Sequence, residues 1–83
     1  MITFYALNGE FIQKSRWFPK NFTGFVEWPD GSKEWFMNGN QHRLEGPAFI
    51  GCTNKKLWYV DGKEVTEEQC KLLHDIMKLK GIV

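Results

Sequence analysis

The sequence has little of what most specialised functions require. It holds two cysteines and two histidines, carries a net charge of +1, and has no long uninterrupted apolar stretch. Cys52 and Cys70 lie eighteen positions apart, a spacing that matches no zinc or redox motif. No metal or cofactor is therefore expected, and both cysteines read as reduced, small core or half-buried residues. Eleven Lys and Arg against ten Asp and Glu give neither the strong positive field of a nucleic-acid binder nor the charge of an acidic DNA mimic. The start, MITFYALNGEF, lacks a basic segment followed by a long apolar run. Neither a signal peptide nor a membrane span is expected, and the chain reads as cytoplasmic.

At 83 residues the length predicts one domain, 1–83, and excludes a two-lobed enzyme with a cleft between its lobes. A domain of this size buries only roughly 60–65% of its unfolded surface, so a deep cavity would compete with the core. Any ligand is expected on a surface. Apolar residues at 42% and charged residues at 25% are the proportions of an ordinary globule.

Turn signals are dense. Asn8-Gly9, Asp30-Gly31, Asn38-Gly39 and Asp61-Gly62 are all dipeptides that reach the positive φ angles of tight hairpin turns. Between them lie runs rich in aromatic and β-branched residues, at 3–7, 10–14, 25–28, 34–37, 41–44, 48–52 and 57–60. They predict about five to seven sequential antiparallel strands. A repeat is visible too: Trp35-Phe36-Met37-Asn38-Gly39 realigns on Trp58-Tyr59-Val60-Asp61-Gly62, and more faintly on Tyr5-Ala6-Leu7-Asn8-Gly9. Each unit reads as an aromatic strand, a turn and a returning strand, stacked on its neighbour over residues 1–62.

After the last hairpin the period changes from 2 to 3.6. Thr66-Glu67-Glu68-Gln69 is a capping box, and Leu72, Leu73, Ile76 and Met77 form one stripe, so the spacing predicts a capping helix over 66–80 packed across the sheet. The fold class is α+β. Residues 14–24, KSRWFPKNFTG, fit neither period and read as a loop.

The densest set of chemically capable side chains lies at Asn38-Gly39-Asn40-Gln41-His42-Arg43-Leu44-Glu45-Gly46-Pro47-Ala48. This stretch resembles the Asn-Gly, His-Arg, Gly-Pro-Ala unit of short tandem hairpin proteins carried mostly by bacteriophages and prophages, themselves distantly similar to MORN repeats. The likeness is full from Asp30 to Ala48 and partial from Lys56 to Lys63, about half of the chain. It departs where Glu64-Val65 replaces a second His-Arg and where the helix replaces a second Gly-Pro-Ala, an ending that looks like a terminal cap. The resemblance implies a hairpin-repeat fold and a viral source, without a single activity to carry over.

His42, Arg43 and Glu45 admit two readings, an acid/base or anion-binding cluster and a set of staples for the surrounding turns. The second is favoured, because the motif recurs with turns at fixed offsets, so His42 and Arg43 are expected to bond neighbouring turn carbonyls and Glu45; no second carboxylate pair, Ser/His/Asp order, phosphate loop or metal spacing accompanies them. The chain is not expected to be an enzyme. His74 and Cys70 share a helix face, but two ligands without a third make no metal site.

Trp35 and Met37 point to one face of their strand and Phe36 to the other, so both sheet faces are apolar. One helix covers one face. Loop 14–24, a second copy of the chain in a homodimer, or a foreign partner must cover the other. The partner reading places Arg16, Trp17, Phe18, Phe22 and Phe36 in an interface. On these grounds the expected function is a small non-catalytic phage-type module that binds and inhibits a host protein, such as a defence or transcription factor. Two alternatives stand beside it: single-stranded nucleic-acid binding through aromatics and Lys14, Arg16, Lys20, Lys33, Lys55 and Lys56, and an oligomeric sponge for an anionic nucleotide held by His42 and Arg43.

Overall fold

The computed structural model describes residues 1–81. They form β1 (Ile2–Tyr5), β2 (Phe11–Ser15), β3 (Gly24–Glu27), β4 (Lys33–Met37), β5 (Asn40–Gln41), β6 (Phe49–Ile50), β7 (Lys56–Val60), β8 (Lys63–Val65) and α1 (Glu67–Leu79). The strands are antiparallel throughout and run in the order β2-β1-β3-β4-β6-β7-β8. β5 and β6 divide one edge of β4, β5 pairing with Phe36 and Met37 and β6 with Lys33 and Glu34. The α+β class holds, with one strand more than expected: β8 is the return strand of the last hairpin, too short and charged to register as a strand by composition.

The four turn dipeptides do not behave alike. Asn38-Gly39 and Asp61-Gly62 take positive φ at both residues, while at Asn8-Gly9 and Asp30-Gly31 only the glycine does. In the latter two the glycine N–H donates back to the residue three before it, to Ala6 and Trp28 respectively. Asp30 accepts the Ser32 N–H at 2.8 Å, and that bond holds its carboxyl below the usual aspartate range.

β3 lies beside β1, not β2, so the chain leaving β2 must cross β1 to reach its place. The crossing explains the loop. Residues 16–23 run over the face that carries Phe4, Val26 and Phe36, and they place Phe18 and Phe22 on it. Phe18 meets Phe4 and Phe36 edge-on at 5.3 and 4.8 Å, and Phe22 meets Phe4 at 5.2 Å. Phe4, Phe22, Val26 and Phe36 are the buried core, and full burial of one such side chain is worth about 1.5–3 kcal/mol. Gly24 begins β3 in a conformation with φ of +145°, and a Cβ there would collide with the Tyr5 carbonyl and lie 2.7 Å from the Phe22 ring. On the same face the Glu34 carboxylate accepts from Trp28 Nε1 at 2.7 Å and from Gln41 Nε2 at 2.6 Å.

The helix starts as expected: Thr66 accepts the Gln69 N–H, and the Gln69 side chain accepts the Thr66 N–H. Its position corrects the expectation. It docks chiefly on β7 at one end of the sheet instead of spanning it. Cys70 is its buried residue, while Leu72, Ile76 and Leu79 face outward. The Cys70 thiol donates to the Arg43 carbonyl at 3.2 Å, and burial pushes its pKa up. Cys52, expected half-buried or in the core, is exposed in the turn after β6.

Candidate functional site

With the loop on one face and the helix at one end, the centre of the opposite face stays uncovered. Strand register builds what it presents. Tyr5 stands opposite Phe11 on one side and Phe25 on the other, and Phe25 stands opposite Trp35. Side chains in such cross-strand pairs share a face, so four aromatics from β2, β1, β3 and β4 form one row. Tyr5 stacks on Phe25 with ring centres 4.9 Å apart, and Phe25 stacks on Trp35 at 5.3 Å. Phe11 closes one end edge-on at 6.3 Å. Arg43 closes the other, its guanidinium carbon 3.8 Å from the Trp35 ring centre.

Stacking of this kind decides what the row can do. Phe25 is stacked on both sides, Tyr5 is stacked on one, and Trp35 is engaged by Phe25 and by the Arg43 guanidinium. A nucleobase needs an open ring face to stack on; aliphatic and aromatic side chains of a protein pack against edges as well. Around the row, Leu7, Phe11 and Met37 are 52%, 60% and 38% exposed and extend the apolar area toward the turns. A groove of about 330 Å³ runs along its Arg43 end, bounded by Leu7, Trp35, Met37, His42, Arg43 and Glu45.

His42 and Arg43 are both held in place. His42 Nδ1 accepts the Asp61 N–H at 3.0 Å, which leaves the ring proton of the neutral form on Nε2. The repeat explains the bond. In the preceding turn Thr23 Oγ1 accepts the Asn38 N–H while the Phe22 carbonyl accepts the Gly39 N–H. In the following turn His42 accepts from Asp61 and the Gln41 carbonyl accepts from Gly62. His42 thus does for one hairpin what Thr23 does for the other. Arg43 donates from Nη1 to the Pro47 carbonyl at 3.1 Å, and its backbone N–H donates to Tyr59. Burial lowers its pKa and the nearby Glu45 raises it, burial being the larger effect; a guanidinium stays charged throughout.

The residues expected to bind a partner separate. Phe22 and Phe36 are core residues, each only 9% exposed, which corrects their assignment to an interface. The reason is the loop crossing, which lays Phe22 on Phe36. Phe18 is pinned over the same core and shows part of its ring. Arg16 and Trp17 stay at the surface, Trp17 at 81% exposed. Tyr5 and Phe25 were not singled out by the sequence, although the repeat aligned Tyr5 with Trp35 and so carried the signal that the two occupy equivalent places. Among the described residues no group of three or more His, Cys, Asp or Glu is placed to hold a metal ion, and no helix is long and apolar enough to cross a membrane.

Comparison with known proteins adds no identity. No family model, curated protein or solved structure matches the chain.

Proposed function

We propose that the chain is a non-catalytic protein-binding module that docks its partner on the uncovered sheet face. One observation carries the reading: a stacked row of Phe11, Tyr5, Phe25 and Trp35, capped by Arg43, on the sheet face opposite the loop, with Phe11 exposed and the other three rings half-buried. Aromatic residues, Met and Arg are the types enriched at interface centres, and the row supplies them already ordered, so little side-chain freedom is lost on docking. The resemblance to phage-borne hairpin repeats extends the proposal to a host protein, bound and inhibited in the cytoplasm.

The test is capture from bacterial lysate with and without nuclease, using the wild-type chain, Leu7→Glu/Met37→Glu and Trp17→Ala. The expected result is a stoichiometric protein that survives nuclease, is lost with Leu7→Glu/Met37→Glu and is retained by Trp17→Ala. Loss with Trp17→Ala alone would move the interface to the loop. A second reading, single-stranded nucleic-acid binding, is favoured only by Trp17, whose ring is exposed beside Arg16; nuclease-sensitive capture would support it. Anion capture by His42 and Arg43 gains no support, since the Asp61 turn, Trp35 and Pro47 already engage them.

A further inference from the structure

Two residues from the aromatic row along β1, β3 and β4, and three along β2, where the register shifts by one, a second row stands on the same face. Lys14 stands opposite Thr3, Thr3 opposite Glu27, and Glu27 opposite Lys33. The row continues from Lys33 to Ile50 and from Ile50 to Lys56. Two exposed lysines, Lys14 and Lys33, therefore flank the aromatic row about 14 Å apart at ordinary strand spacing, and a third, Lys56, lies about 10 Å beyond Lys33, past the Trp35 end of the row. Arg43 adds a fourth cation at its end. Against them stand Glu27, directly opposite Lys33, Glu45 beside Arg43, and Glu67, which with Glu45 lines the same cleft as Lys56.

We infer that the partner docked on this face is a protein surface or segment whose apolar side chains meet the aromatic row and whose carboxylates meet Lys14, Lys33 and Lys56. The inference rests on the protein-binding reading and specifies its chemistry. Charge complementarity of this kind selects partners and speeds encounter. A nucleic acid fits the same margin poorly for two reasons. Glu27, directly opposite Lys33, breaks the line of cations that a continuous phosphate backbone would follow, and Phe25, stacked on both sides, has no free face for a base.

The experiment uses the isotope-labelled full chain and three probes: an amphipathic leucine–glutamate peptide, its leucine–lysine counterpart of equal length, and an oligothymidylate. Amide and indole resonances report where each binds. The expected result is that the leucine–glutamate peptide shifts Tyr5, Phe25, Trp35 and the three lysines, and binds about tenfold more tightly than its basic counterpart, with affinity falling as salt rises. Lys14→Glu/Lys33→Glu/Lys56→Glu, whose own spectrum shows that it is folded, should reverse the preference. Equal shifts from both peptides would keep the row as a docking face and overturn the acidic partner. No shift in the row from either peptide would overturn both, and tighter binding of the oligothymidylate on this face would replace the inferred partner by a nucleic acid.

Discussion

At the scale of single residues, backbone geometry and satisfied polar groups make the sharpest demands. Gly24 combines a positive φ with no room for a Cβ, so Gly24→Ala should destabilise the fold by about 2–4 kcal/mol, measured by denaturant unfolding. His42→Ala should cost about 1–2 kcal/mol by leaving the Asp61 N–H without its acceptor. His42→Asn, whose side-chain oxygen can take the same bond, should recover most of that loss; equal losses in both variants would deny His42 its stapling role. The two cysteines should separate under a thiol reagent in the native state, Cys52 reacting at once and Cys70 only after opening. Because the folded-state pKa of Cys70 is raised, its contribution to stability is complete below the ordinary thiol range and fades as pH rises through the raised value. A Cys70→Ser comparison of unfolding between neutral and alkaline pH reads that fade directly.

At the scale of elements, local rules were legible and crossings were not. The capping box at Thr66 is written in four consecutive residues and forms as written, so Thr66→Ala should lower stability by about 1 kcal/mol in thermal unfolding. The split of Trp35 and Phe36 to opposite faces follows from strand alternation alone. What alternation could not place is the loop after β2. Its aromatics follow neither period, and only the insertion of β1 between β2 and β3 sends it over the Phe4 face, turning Phe22 and Phe36 from interface candidates into core. The helix shows the same limit. Its apolar stripe is wide enough to fit several docking angles, and the one taken turns Cys70, Leu73 and Met77 inward and leaves Leu72, Ile76 and Leu79 outside.

At the scale of the whole molecule, coverage is unequal. One sheet face is sealed by the chain's own loop, one end of the other face by the helix, and between them lies a preordered aromatic row with basic residues along its margin. The two sheet faces thus offer rival surfaces, Phe11 at the end of the row and Trp17 on the loop. The decisive measurement is site-specific cross-linking of the captured partner, with a photoreactive phenylalanine analogue placed at Phe11 in one chain and at Trp17 in another. The account predicts cross-links from Phe11 and none from Trp17. Cross-links from Trp17 alone would contradict it and assign the loop, not the aromatic row, to the interface.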